Sequence, residues 1–365
     1  MRQTLPLISI VLSLLFSSFI PAKEVRLYTQ RHYTADKQFF AQFTKDTGIE
    51  VKVIKAGANE LLTRLKAEKA APQADLFITT DAAALDRADA AGLLDKLNSE
   101  KIQSRIPEGL QGKNGTWVPI TMRGRIIVYS KARAGKNLPK TYKDLASSQW
   151  RGRVLIRSSS SGYNQSLLAS ILAAEGRPAA LAWAQGVKNN MARPPQGGDR
   201  DQVRGVAQGL GELAVTNTYY LGLLEKSDDP KDRAARAAVG VIFPNQNGRG
   251  AHVNVSAAGI VKGAKNRPHA VALLEFLTSS EVQAGYQKMT SEFAVTKGVE
   301  PEHVVDMFRK VHAAKAMEVV RDATTAANVR PPPATTIGTA GCAIKDVTTA
   351  AAHAGRSLAL SFNCC

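Results

Sequence analysis

The chain has 365 residues, 44% of them hydrophobic and 22% charged, which suits a soluble globular protein large enough for two cores. The net charge of +17 is dispersed, with no basic run, zinc-finger or RNA-binding signature, so it fits anionic surfaces or solutes, or a merely solvated face. The three cysteines, Cys342, Cys364 and Cys365, all lie near the C-terminus, which leaves the body without a disulfide framework or a thiolate metal site.

Residues 1–22 read as a cleaved targeting signal. Arg2 supplies the positive start, Leu5 to Ile20 is apolar, and Ile20-Pro21-Ala22 offers a small residue for cleavage. No lipobox-type cysteine follows, so a soluble exported protein is expected. Glu24 to Thr29 then predicts a strand, and Thr34 a helix N-cap ahead of Phe39, Phe40 and Phe43, with Gly48 as the stop. Ile49 to Ile54 alternates as a strand. Leu61, Leu62 and Leu65 share a helix face, Ala74 to Thr79 reads as a buried strand, and Asp81 caps another helix. This alternation predicts an α/β lobe of parallel strands and crossover helices.

Gly115 to Tyr129 breaks the rhythm: it is long, extended, and contains Pro119 and Gly124. It reads as a crossing from one lobe to a second, and His252 to Val261 as the return. Between them come a short helix from Lys140 to Leu145, a strand from Val154 to Arg157, the polar loop Ser158 to Gly162, a helix from Asn164 to Glu175, and a strand from Val239 to Phe243. Helices over Ala270–Leu277 and Glu281–Met289 follow. The expected division is 23–124 with 250–304 as the first lobe and 125–249 as the second. A helix-like segment covers 305–329, and a flexible Pro/Gly/Thr-rich tail covers 330–365.

The heaviest stretch is Asn217-Thr218-Tyr219-Tyr220. Leu213 to Val215 reads as a buried strand and Leu221 to Leu224 as a helical turn, so two adjacent tyrosines sit at a strand-to-helix junction. There the alternation of a regular strand is broken, and two phenols can converge. Packing alone is the bland reading of such a pair. His32 with Tyr33, and Tyr163, also follow strands and precede helices. In an open parallel sheet that edge binds ligands, and groups from both lobes would meet in the cleft between them.

Phenolate is a hard anionic oxygen donor, and thiolates are absent from this region, so soft metals are disfavoured. A phenol ordinarily loses its proton near pH ~10, but a small trivalent cation displaces it well below that. Ferric iron fits. Four phenolates around a 3+ ion leave one negative charge, which Arg123 on the first crossing can offset. Calcium or magnesium would call for carboxylates and carbonyls. The loop Ser158-Ser159-Ser160-Ser161-Gly162 equally suits an anion at a helix N-terminus. That leaves open a receptor for a small anionic solute bound by the loop and Arg123. A tyrosine-iron enzyme would need an open coordination position and an acid/base partner. His252, His269, His303, His312 and His353 form no triad or metal spacing, so no enzyme is expected.

The stretches YTQRHYTADKQFFAQFTKDTGIEVKV (28–53), ADLFITTDAAAL (74–85), TMRGRIIVYS (121–130), RSSSSGYNQSLLAS (157–170), AVTNTYYLGLL (214–224) and HVNVSAAGIVKGAKN (252–266) together carry a resemblance. They are similar to the periplasmic ferric-iron-binding proteins of ABC importers, in the branch that holds iron directly with tyrosines, like the cyanobacterial iron receptors. The resemblance implies a two-lobed type II periplasmic-binding-protein fold with a hinge and an interlobe cleft. It implies Tyr33, Tyr163, Tyr219 and Tyr220 as ligands of Fe(3+), His32 as a ligand or near-ligand, and Arg123 facing the metal or an anion. Ser161 belongs to the anion-binding set. A synergistic anion such as carbonate is an associated expectation, although Tyr163 argues for the anion-independent branch. The implied partner is an inner-membrane ABC permease. A monomer with no nucleic-acid partner is expected. The family's helical C-terminal segment is replaced here by the alanine-rich stretch and the cysteine-bearing tail.

Overall fold

A computed structural model of the chain describes residues 23–299. The expected targeting signal, the 305–329 segment, the 330–365 tail and all three cysteines lie outside the described residues. The first stretch runs β1 (Glu24–Thr29), α1 (Thr34–Thr47), β2 (Glu50–Lys55), α2 (Ala58–Ala67), β3 (Leu76–Thr79), α3 (Ala82–Ala90), β4 (Leu94–Asp95) and α4 (Glu100–Arg105). The long β5 (Trp117–Ser130) leads to β6 (Val154–Leu155), α5 (Gly162–Asn189), α6 (Asp199–Gln208), β7 (Leu213–Asn217), α7 (Thr218–Glu225), α8 (Pro230–Ala238) and β8 (Val239–Ile242). The return strand β9 (Val253–Val261) is followed by α9 (Arg267–Leu277) and α10 (Ser280–Thr290).

The strands join in the order β2-β1-β3-β9-β5-β7-β6, with β4 on β9 and β8 on β5. β1 pairs parallel with β2 and β3, as strand–helix–strand units require, and β6 pairs parallel with β7. The parallel strands expected of the first alternating stretch are there in β1, β2 and β3, while the centre of the sheet is antiparallel. β5 and β9 cross in opposite directions and therefore pair antiparallel, from Trp117 opposite Gly259 to Gly124 opposite Val253. The register slips between Pro119 and Thr121, a bulge where a proline without an N–H is tolerated inside a strand. Beyond Gly124, β5 changes partners and runs against β7 and β8.

One core gathers Leu27, Phe77, Trp117, Ile260 and Leu274 from 25–122 and 253–295. Around the second half of β5 the chain packs on both faces, because successive residues of a strand point opposite ways. Ile127 joins Trp150, Leu167 and Val215, while Ile126 and Val128 join Val203, Leu221 and Val239. Each fully buried aliphatic or Phe side chain contributes about 1.5–3 kcal/mol from removal of apolar surface.

Several local expectations change. Tyr33, not Thr34, is the N-cap of α1, with extended backbone at φ −70 and ψ 141. Gly48 ends α1 as predicted, at φ 70, with its N–H bonded to Thr44 O at 2.8 Å. The helix expected to end at Glu175 does break there, at Gly176 (φ 79), and resumes through Pro178 to Asn189. Lys140–Leu145 holds a 3-10 turn rather than an α-helix, and only Val154 and Leu155 of the expected strand enter the ladder. α6 and α8 escape the apolar pattern because they carry few large apolar residues. They are held by Val203, Val206 and Ala235 against the sheet. No helix among the described residues is long and apolar enough to cross a membrane.

Candidate metal centre

Three of the four tyrosines are placed by helix starts in the stretch between β5 and β9. The backbone is extended at Asn217 (φ −85, ψ 148), the N-cap of α7, and helical from Thr218. That turn puts Tyr219 and Tyr220 side by side with ring centroids 4.1 Å apart and planes 32° apart. Tyr163 is the second residue of α5. Its phenol oxygen lies 3.2 Å from that of Tyr219, across a sequence gap of 56 residues.

Tyr33 arrives from the other half. Its hydroxyl donates to Glu292 Oε1 at 3.2 Å, and the Arg31 guanidinium stacks 4.6 Å from its ring centre. The phenols feel one another. Burial, then Tyr163, Tyr33 and Tyr220, push the Tyr219 hydroxyl far above the ordinary phenol range. Burial and then Glu292 push Tyr33 up, against the pull of Arg123 and Arg31. Tyr220 rises to about 12, chiefly by burial and Tyr163. Without a cation all three remain neutral phenols at ordinary pH.

His32 lies at the rim of the phenol cluster, edge-on to Tyr33. It is exposed, its Nδ1 is 3.3 Å from Gln30 O, and its ring centre is 6.1 Å from that of Tyr33. Ser161 is the N-cap of α5, without a side-chain capping bond. The serine loop is bound to itself: Ser158 and Ser160 hydroxyls are 2.8 Å apart, and Asn164 Nδ2 donates to Arg157 O at 2.8 Å.

Arg123 is 2% exposed and sits at the centre of the arrangement. Its guanidinium carbon is 5.7 Å from the Tyr163 ring centre, and it donates to Ser256 Oγ at 3.2 Å and to Thr80 O. Burial alone would lower its pKa, yet Glu292, Tyr33, Tyr163 and Tyr219 together hold it raised. The guanidinium therefore stays charged.

Sequence reasoning missed the support beneath these groups. Glu292 is fully buried, faces Arg123 Nη1 at 3.8 Å, and accepts from Thr121 as well as Tyr33. Arg31 forms a two-pronged pair with Asp36 at 3.0 and 3.1 Å, and Tyr286 donates to the same carboxylate at 2.9 Å. On the other side Arg125 donates to Asp199, to Asn164 Oδ1 at 2.6 Å and to Asn217 Oδ1 at 3.1 Å. That one side chain ties together the starts of α5, α6 and α7. Each half thus carries a buried guanidinium–carboxylate pair near its tyrosine. No signal in the sequence marks Glu292, which follows α10 by two residues and meets Tyr33 only through the fold.

Such a centre offers neutral phenols that become hard oxygen ligands when a small, highly charged cation displaces their protons. Among the described residues no group of three or more His, Cys, Asp or Glu could hold a metal. With Glu292 and the half-exposed Arg157, 5.4 Å from the Tyr163 ring, the local charge count gains one negative and one positive group.

Residues 38–316 match the family described as bacterial extracellular solute-binding protein. The chain is 46% identical over 277 residues to iron uptake protein A1 of Synechocystis sp., covering 76% of this chain and 77% of that protein. A Trichodesmium protein (IdiA, FutA), solved in complex with iron and citrate ligands, is 39% identical with a TM-score of 0.74, over 83% of this chain and 97% of that one. The ferric binding protein from Campylobacter jejuni is also 39% identical, with a TM-score of 0.73 over 82% and 97% of the two chains. The architecture is that of a two-lobed type II periplasmic binding protein.

Proposed function

The chain belongs to the family of bacterial extracellular solute-binding proteins, and on that premise we propose that it captures ferric iron between its lobes and hands it to an ABC permease. The observation that carries the reading is the convergence of Tyr163, Tyr219 and Tyr220 with Tyr33 around Arg123. The relatives named for iron uptake and ferric binding support it over a small anionic solute as the cargo.

Tyr33, Tyr163, Tyr219 and Tyr220 are the ligands in this reading. Residues 23–124 with 250–304 form one lobe in this reading, and 125–249 the other. Arg123 offsets the charge of the phenolates, and Glu292 in turn holds Arg123 and Tyr33. A small carboxylate or carbonate has a place beside Arg123 as an accompanying anion. His32 is a rim residue that reaches the metal only if its side chain turns inward. In this reading the protein acts as a monomeric periplasmic carrier and not as an enzyme, which the relatives named for iron uptake support.

The test is a titration of metal-stripped protein with chelated ferric iron, followed in the visible. Tyrosinate-to-iron charge transfer should give an intense band that saturates at one equivalent and falls in Tyr219→Phe and Tyr220→Phe. A protein that stays colourless overturns the reading.

A further inference from the structure

Tyr163 and Ser166 are three residues apart in the first turns of α5 and so share a helix face. The Ser166 hydroxyl oxygen lies 2.9 Å from His252 Nε2 and accepts from Asn254 Nδ2 at 3.0 Å. These two partners lie one residue apart on the return crossing, yet they are held by different lobes.

Asn254 is anchored to the first lobe. Its Nδ2 also donates to Asp81 Oδ2 at 3.0 Å, and its Oδ1 accepts from Ala82 N at 3.4 Å. Asp81 is itself fixed as the cap of α3, accepting from Ala83 N at 2.7 Å. His252 is anchored to the second lobe, where its backbone N–H donates to the Tyr142 hydroxyl at 2.9 Å. Tyr142 is part of the Ile127–Trp150–Leu167 core. Both partners are nearly inaccessible, His252 at 3% and Asn254 at 5% exposed. Burial, Arg249, Arg125 and Arg123 hold the His252 pKa down to about 3, so a neutral imidazole meets the serine. A cavity of about 10 Å³ lies against Tyr163, Ser166, His252 and Asn254, room for roughly one water.

We propose that Ser166 is a positioning residue for iron capture, coupling closure of the lobes to the placement of Tyr163. The proposal rests on the ferric reading of the site. Ser166 moves with α5 and the second lobe, while Asn254 is held by the first. Rotation of the lobes about the crossing strands therefore changes the Ser166–Asn254 distance and spares the Ser166–His252 contact. Closure adds one hydrogen bond on the helix turn that carries Tyr163. The pivot of β9 falls between His252 and Asn254.

The experiment compares full-length wild type, Ser166→Ala and Ser166→Thr. Each is loaded with ferric iron and mixed with a strong chelator while decay of the charge-transfer band is followed. The melting temperature of each metal-free protein is measured in parallel. Loss of one buried hydrogen bond is expected to speed release on the order of 2–12-fold in Ser166→Ala. The metal-free melting temperature of Ser166→Ala is expected to fall modestly, because the bond to His252 is present in either form, and Ser166→Thr should keep the wild-type value. Ser166→Thr, which keeps the hydroxyl, should release at the wild-type rate. Unchanged release in Ser166→Ala overturns the proposal, as does release in Ser166→Thr as fast as in Ser166→Ala. Absence of the band in wild type overturns this proposal and the ferric reading together, whereas a wild-type band with no difference among the variants overturns this one alone.

Discussion

The phenol oxygens of Tyr163 and Tyr219 stand 3.2 Å apart although the two residues begin different helices. In the metal-free protein one phenol donates and the other accepts. With a cation present neither proton need remain, and the two oxygens are already at the spacing of neighbouring ligands. In the proposed reading the pair is the preorganised part of the site, and Tyr33 is the part brought by the opposite lobe.

Removing one phenolate should cost more than disturbing a group behind the ligands. Outer partners of a metal typically contribute about 10–100-fold in affinity. Tyr219→Phe is expected to exceed about 100-fold and to weaken the charge-transfer band, measured by competition against a chelator of known strength.

His32→Ala should behave differently. The imidazole is exposed and its recorded polar neighbour is a backbone carbonyl. Affinity is expected to fall less than about tenfold, below the 10–100-fold typical of groups coupled to a metal. The band position should be retained. A loss as large as that of Tyr33→Phe would place His32 on the iron.

Glu292→Gln removes the carboxylate that faces Arg123 and accepts from Tyr33. Breaking a buried ion pair on one side typically costs about 3–5 kcal/mol. Ser256 and Thr80 still serve Arg123, which puts the expected loss near the lower end. A drop in melting temperature with a shifted charge-transfer band would register both roles of Glu292. An unchanged band would confine Glu292 to stability.

The pH dependence follows from the raised phenols. Each phenol that becomes a ligand must release a proton, so apparent iron affinity should fall as pH falls, by up to about tenfold per unit for each proton released. A weakly buffered titration with a pH indicator counts those protons directly. The metal-free protein responds at the other end of the scale. Tyr220 is raised from 10.0 to about 12 in the folded state, while the unfolded chain ionises near the ordinary value. Its contribution to stability is complete below pH 10 and is lost as pH rises toward about 12. Urea unfolding at pH 8 and pH 11 should show the fall.

Much of the framework is local and was readable without the fold. The apolar run before Asn217 and the leucines after Tyr220 mark a strand meeting a helix, because burial period and capping chemistry are written in neighbouring residues. The same holds for Gly48, where only a residue tolerant of φ 70 ends the helix cheaply. The polar helices α6 and α8 were not readable, since their few apolar contacts give too weak a period.

The position of the tyrosines at the ends of strands, and the two long extended crossings, follow from neighbouring residues alone. The fold alone brings Glu292 under Tyr33, 259 residues away, sets Arg31 and Arg125 as braces on the two sides, and leaves His32 exposed with its Nδ1 on Gln30 O. The physical reason is that backbone turns are set by adjacent residues. A buried charge finds its partner across the core, and chain returns such as β9 and the segment after α10 choose that partner. The antiparallel pairing of β5 with β9 belongs to the same class, for strand direction is set by how the chain comes back and not by what the strand contains.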